Sequence, residues 1–512
     1  MLNKKNITIV ISLLLFYLLG SMVVNGVFLA DDLGWSGVSF SETINHSNFT
    51  TRPLSAILMG ILVELMHYSD YYYYLAYIFV IISVYLVYKT LMLYVENELF
   101  AYLGTLLYII LPIGTSSFYS MIMLNSNMAI GFYCLSLIYL KKDYNRRNLL
   151  ISSLFFLLSI LSYEICIPLL LLNILLIQKN KFKSSREYKH YIVMLVLTPV
   201  VFYFFYRFAL RDLLFVNSTN RERIGKIFNV SRDFQVIYKL ILTYSFSLIK
   251  SIVRGVIAIR FYSIEDFVVL IMVNILFVLQ VAKYKFREIK NLDKVLKLSI
   301  IGFVLTNGIY FLSDYLPNLY YFSNRVMGAS KLLFGVVLVA GVFYISKKSP
   351  KVAKGTLFLG FFLLSVTAIS IKNAWIYANE FNISLFKKTK SLIKTLSSKD
   401  QNIARLAIDY NIHKILSEDQ HFILREPIYN NTWETSFLCK VSGFQYINRG
   451  GQYSGSRVFI DKDVKEIPQY DEGYLLNLKK FPYYYVKPLE GKIYVVRNEK
   501  DFFSTHFTAI IC

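Results

Sequence analysis

Two aspartates, Asp31 and Asp32, stand directly after the first long apolar run, in FLADDLGW. Adjacent carboxylates repel, which raises one pKa toward the range of a general base. At a bilayer interface such a pair is costly unless it binds something; in water it is a solvated helix end. Arg52-Pro53 closes the same loop. An arginine there can pair with the carboxylates, grip a phosphate with its planar fork, or anchor the chain at the interface. Glu164 interrupts the apolar stretch LSYEICIP, either as a site carboxylate or as an interfacial turn residue. Asn324-Arg325 lies among aromatics in SDYLPNLYYFSNRVMG, accompanied by Asp314, Tyr320 and Tyr321. That setting suits a phosphate beside a sugar ring, or an aromatic belt with a snorkelling arginine. Asn125 and Asn127, in MLNSNMA, can hydrogen-bond a substrate or cap a helix. The candidates for chemistry are thus Asp31, Asp32 and Glu164. Arg52 and Arg325 are candidates for an anion, and Asn125, Tyr321 and Asn324 for other substrate groups.

Membrane helices must position these residues. Of 512 residues, 55% are hydrophobic and 17% charged, and the mean hydropathy is +0.47. A soluble globule carries about a quarter charged residues, and a disordered chain has few apolar ones, so both classes are excluded. A spanning helix needs roughly 20 mostly apolar residues. Eleven segments qualify with soft edges: Ile7–Leu29, Tyr71–Val95, Leu99–Gly114, Asn127–Leu140, Leu149–Tyr163, Ile165–Ile177, Tyr191–Leu210, Ile264–Val281, Val295–Leu312, Gly328–Ser346 and Gly355–Ile371. The first is too long for a signal peptide and lacks a small-residue cleavage site, so it is expected to stay as an anchor.

Lysine and arginine number 55 against 33 acidic residues, a net charge of +22. Most of the excess sits at Lys4-Lys5, Lys141–Arg147, Lys179–Lys189, Lys283–Lys297 and Lys347–Lys354. Eleven spans with a cytoplasmic N-terminus put all five clusters inside, as the positive-inside rule asks. The charge therefore reports orientation rather than nucleic acid. Pro53–Tyr68 is apolar but short, and a complete crossing there would put the last four clusters outside. It is expected to lie on or dip into the outer interface, or to form a hairpin of two half-spans. The reading is an all-α membrane bundle over residues 1–372, with outer loops at 30–70, 211–263 and 313–327. A small extracytoplasmic α+β domain would follow over 373–512.

Within the long loop, Gln235–Arg260 has an apolar core of only ten residues, Leu240–Ile249. Lys239, Lys250 and Arg254 fall within about 60° of one another on a helical wheel. That pattern marks an interfacial amphipathic helix, whose cations either snorkel or bind a lipid phosphate; Lys250 and Arg254 join the anion candidates. In the tail, Trp375–Leu396 reads as an amphipathic helix leaving the membrane. The runs FQYINRGGQYSG, YYYVKP and KIYVVRNE read as short strands. Cys134 and Cys166 lie in apolar runs as small hydrophobes, whereas Cys439 and Cys512 can form a disulfide in an oxidising compartment. His46 and His67 have no metal-ligand spacing, and no phosphate loop, nucleophile elbow or Cys/His zinc pattern occurs. No resident cofactor is expected, although adjacent carboxylates such as Asp31 and Asp32 allow a divalent metal.

Taken together, these features resemble the GT-C superfamily of integral-membrane glycosyltransferases. The resemblance rests on the acidic pair after the first span (Asp31-Asp32), Arg52-Pro53 at the end of that loop, Glu164 in a Ser-Tyr-Glu context, the outer-loop Arg325 and the C-terminal outer domain. It implies a polyprenyl-phosphate-linked sugar as donor, with Asp31 or Asp32 as base and Arg325 as donor-phosphate ligand. It implies a glycan or glycolipid acceptor on the outer face of a bacterial inner membrane. A donor-synthesising transferase and a flippase would work upstream. Size and tail are similar to the O-antigen glucosyltransferases of serotype conversion. Two rival readings remain, an O-antigen polymerase or ligase and a lipid-linked-sugar flippase or transporter. The polymerase or ligase would not require the acidic pair or a soluble tail. Transport chemistry favours charges at mid-membrane, whereas here Glu164, Asp314 and Arg207 sit near span ends.

Overall fold

The computed structural model describes residues 4–24, 39–45, 52–68, 71–120, 124–142, 145–182, 184–211, 230–286, 289, 291–313, 315–319 and 322–394, with three strands at 405–408, 473–477 and 490–496. The described chain up to residue 394 is almost wholly helical. In order the helices are α1 (Lys4–Val24), α2 (Phe40–Asn45), α3 (Pro53–Tyr68), α4 (Tyr71–Val95), α5 (Glu98–Ile110), α6 (Ser116–Tyr119), α7 (Asn125–Lys141) and α8 (Arg146–Ser162). Then come α9 (Glu164–Leu176), α10 (Ser185–Leu210), α11 (Val230–Phe261), α12 (Ile264–Ala282) and α13 (Leu292–Phe311). The last two are α14 (Gly328–Lys348), entered through a 3-10 turn at Phe322–Met327, and α15 (Pro350–Lys394).

Among the described residues, seven helices are long and apolar enough to cross a membrane, as parts of α4, α10, α11, α12, α13, α14 and α15. Large apolar side chains such as Phe16, Tyr85, Phe202, Ile271 and Leu359 face outward, as the bundle of a membrane protein requires. Every segment expected to span is helical, but not all are of spanning length. The run Leu99–Gly114 stops being helical at Ile110, and Gly114 then turns the chain with φ +60°. The run Ile165–Ile177 begins as a 3-10 helix around Pro168. α5 packs inside the bundle with all but two of its residues buried, whereas α9 turns Leu171 and Leu175 outward.

Small polar residues let the helices approach closely. Ser83 Oγ bonds the Asn127 carbonyl, Ser159 Oγ the Ala129 carbonyl, and Ser152 Oγ the Ser136 carbonyl. In a medium without water, such contacts replace the hydrophobic drive between helices. One buried ion pair ties three helices together. Asp266, in the first turn of α12, accepts from Lys372 of α15 at 3.0 Å and from Tyr17 of α1 at 2.5 Å. Ser263 caps the same helix against Asp266.

α11 differs from the others. The residues it buries are mostly small or polar: Val236, Thr243, Ser251, Gly255 and Ala258. Phe234, Ile241, Phe246, Ile249 and Val253 face outward instead. Its bonds reach Tyr310, Pro317, Asn307, Ser330 and Ser370. Tyr310, Asn307, Pro317 and Ser330 lie where α13 passes into α14, and Ser370 lies midway along α15, all remote from the basic linkers at 283–297 and 347–354. By length and apolarity α11 could itself cross a membrane, yet its bonds all fall at this one level of the bundle. A π-helical stretch at Thr243–Ser247 interrupts the expected stripe, yet even one full extra residue there leaves Lys239, Lys250 and Arg254 within about 80° of one another.

The chain divides into two compact units at Lys372/Asn373. α15 runs unbroken through that point for 45 residues, so the span and the post-span helix expected as separate elements are one. No proline or glycine lies between Ile371 and Trp375 to stop it. In the second unit, β1 (Arg405–Ile408), β2 (Gly473–Asn477) and β3 (Glu490–Val496) form an antiparallel sheet in the order β1-β3-β2. Of the expected strand runs, KIYVVRNE falls on β3. FQYINRGGQYSG and YYYVKP lie outside the described residues, as do Cys439 and Cys512.

Candidate functional site

Arg52 caps the start of α3, where its carbonyl accepts the Ala56 amide, and Pro53 occupies the first helical position it favours. Ser55, one turn in, donates to the Ser162 carbonyl and so ties α3 to the end of α8. The chain leaves α8 in an extended conformation at Tyr163 and re-enters helix at Glu164. This junction brings three side chains together. Arg52 Nε donates to Glu164 Oε2 at 2.6 Å, and its guanidinium lies 4.3 Å above the Tyr163 ring. The two charged side chains are 12% and 18% exposed. Burial alone would lower the Arg52 pKa, but Glu164 together with the Tyr163 and Tyr315 hydroxyls outweighs it, so the guanidinium titrates above its ordinary range.

A second arginine approaches from the turn before α14. Arg325 donates to the Tyr315 hydroxyl at 3.3 Å, and its carbonyl accepts from Ser126 of α7. Tyr163 is close enough to Arg325, Arg52, Tyr315 and Glu164 for each to act on its hydroxyl electrostatically. That hydroxyl is buried and finds no hydrogen-bond partner among the described residues, and neither does the neighbouring Tyr310 hydroxyl. Buried hydroxyls are usually paired, so the orphaned Tyr163 hydroxyl beside two guanidiniums marks a place suited to a polar ligand. Tyr203 of α10 borders the same group, and the buried Arg207 donates to its hydroxyl at 3.0 Å.

Behind these residues lies a buried polar knot. The Asn324 side chain accepts from Ser116 and donates to Thr115 Oγ1 and the Leu319 carbonyl. Asn127 accepts from Tyr108 and donates to the Ser117 carbonyl. Lys331, 1% exposed, points at the Ile109 carbonyl with the Phe118 ring 4.2 Å away. The knot holds the turn that carries Arg325. Gly114 lies beside Gly328 and turns with φ +60°, and a Cβ at Gly328 would collide with the Ser126 hydroxyl.

Of the residues picked from sequence, the fold gathers Arg52, Glu164 and Arg325. It places Asn324 immediately behind Arg325, with its amide engaged by the protein. Asn125 opens α7, with its side-chain oxygen buried and without a partner among the described residues. Lys250 and Arg254 lie where Gly255 abuts Thr367 of α15, on a different stretch of the bundle from Tyr163 and Tyr315. Asp31, Asp32, Asp314 and Tyr321 lie outside the described residues. Tyr163, Tyr203, Arg207 and Tyr315 were not singled out as site residues. Only Arg207 carried a signal, as an arginine closing a long apolar run.

The chain matches no protein-family model, no curated protein and no solved structure.

Two arginines set among tyrosines, one of them neutralised by a glutamate, can hold an anion such as a phosphate. The aromatic rings can support a sugar or another flat apolar face beside it.

Proposed function

We propose that the protein is an integral-membrane glycosyltransferase. It moves a sugar, glucose or another hexose, from a polyprenyl-phosphate donor to a cell-surface glycan such as O-antigen. In this reading the bundle crosses the inner membrane eleven times with the N-terminus in the cytoplasm. The gathered arginines face the outer side, and residues 373–512 form a small extracytoplasmic α+β domain. One observation carries the reading: Arg52, Glu164 and Arg325, far apart in the chain, converge on Tyr163 and Tyr315.

The chemistry follows from charge. The acceptor hydroxyl oxygen attacks the anomeric carbon as the carbon–oxygen bond to phosphate breaks. Its proton passes to Asp31 or Asp32, and polyprenyl phosphate leaves carrying the extra negative charge. Arg325 and Arg52 offset that charge where it grows. Glu164 holds Arg52 in place, Asn324 fixes the turn bearing Arg325, and Asn125 and Tyr321 are left to contact sugar hydroxyls. Lys250 and Arg254 on α11 attract the anionic donor along the interface.

Deleting the gene and analysing surface glycans for composition and linkage tests the reading. Loss of one hexose substituent is the expected result, restored by the wild-type gene. Arg325→Ala should lower transfer by roughly 100-fold, the scale of one oxyanion donor, with normal protein level in the membrane. Surface glycans unchanged by the deletion would overturn the assignment.

A further inference from the structure

A cavity of about 360 Å³ opens at the other end of the bundle, among α4, α7, α9, α13 and α14. Its volume falls within the roughly 300–1,000 Å³ of ligand pockets. Its rim consists of helix ends: Glu96, Lys141, Gln178, Asn291 and Lys294. From there it runs inward past leucines and valines to Tyr133, Leu172 and Leu332. The polar groups in its wall are already spent within the protein. Thr90 donates to the Cys134 carbonyl, Tyr94 to the Leu137 carbonyl, Tyr133 to Asn173 and Ser299 to the Val295 carbonyl. The interior is therefore lined mainly by hydrocarbon, with the hydroxyl protons of Thr90, Tyr94, Tyr133 and Ser299 already donated within the protein. The rim offers the opposite. Lys294 is exposed, Lys141 lies over the Tyr94 ring at 5.4 Å, and neither makes an ion pair with a described residue. Glu96 is the one carboxylate among the lining residues.

We infer that this cavity is a binding site for an anionic membrane phospholipid. One acyl chain lies inside among Leu91, Leu137, Leu298 and Leu333, and the headgroup phosphate sits between Lys141 and Lys294. The occupant must be amphiphilic, because the apolar interior suits a hydrocarbon chain and the paired ammonium groups at the rim suit one negative headgroup. A polyprenyl chain is far longer than the cavity, and free phosphate has nothing to place in its interior.

Native mass spectrometry of the full purified chain tests this. The protein is mixed with phosphatidylglycerol, phosphatidylcholine, undecaprenyl phosphate or inorganic phosphate. The expected result is one retained phosphatidylglycerol per protein, favoured over phosphatidylcholine by roughly tenfold, the scale of two lysines acting on one headgroup. The double variant Lys141→Glu/Lys294→Glu changes rim residues and leaves the packed wall intact, and it should abolish the preference. Leu298→Trp should abolish retention of either phospholipid. Equal retention of both phospholipids by the wild-type chain would overturn the inference. So would an unchanged preference in the double charge variant, or displacement of phosphatidylglycerol by stoichiometric undecaprenyl phosphate or by inorganic phosphate.

Discussion

The Arg52–Glu164 pair allows a quantitative test of the site. Its nitrogen–oxygen distance is 2.6 Å, and both side chains are largely, though not fully, withdrawn from solvent. Removing one partner of a buried pair costs about 3–5 kcal/mol, because the survivor is left charged and dry. The remaining exposure of 12% and 18% puts this pair at the low end, about 3 kcal/mol for Glu164→Gln or Arg52→Gln. The double variant leaves no orphaned charge, so its loss should fall well short of the sum. The expected coupling is about 2 kcal/mol, within the 0.5–3 kcal/mol range of interacting neighbours. Equilibrium unfolding of the four proteins in one detergent gives all the terms of this cycle. Losses that add to within about 0.5 kcal/mol would refute the pairing, and with it the argument that Glu164 holds Arg52 over Tyr163. Transfer activity separates position from stability: Glu164→Gln should lower transfer even where the protein is fully folded.

Other expectations follow from the same contacts. Asp266→Asn leaves Lys372 unpaired at a site where the two side chains are 4% and 5% exposed. It should cost about 4 kcal/mol in unfolding measurements, whereas Lys372→Met together with Asp266→Leu should cost far less. A Cβ at Gly255 would stand 2.8 Å from Thr367 Cα, so Gly255→Val should destabilise by about 1–3 kcal/mol and increase proteolysis near α11. Gly450→Cys should react with a membrane-impermeant maleimide added to intact spheroplasts. Labelling only after lysis would reverse the proposed orientation.

Hydropathy carried most of the architecture, because a helix in lipid must satisfy its backbone internally and present apolar side chains over its whole length. Every expected span is helical for that reason. Where the sequence reading was incomplete, the cause was local packing. α5 and α9 are too short to span, yet both are apolar, α5 because it is buried and α9 because it also turns leucines outward. The π stretch in α11 is one that no residue in TYSFS announces. Glu164 and Arg325 stood out because charge is rare in apolar surroundings. Tyr163 and Tyr315 did not, since tyrosine is common along this chain and most tyrosines at span ends form a belt.

The sequence by itself determined that this is a membrane protein, where its helices run, and which few charged residues the apolar chain could not hide. These follow from composition and from periodicity within one segment. Only the tertiary structure decided that Arg52 bonds Glu164, that Asp266 bonds Lys372 and that α11 lies along one end of the bundle. Partners separated by 112 and 106 residues meet because helix packing brings them together, and packing depends on side chains from several segments at once.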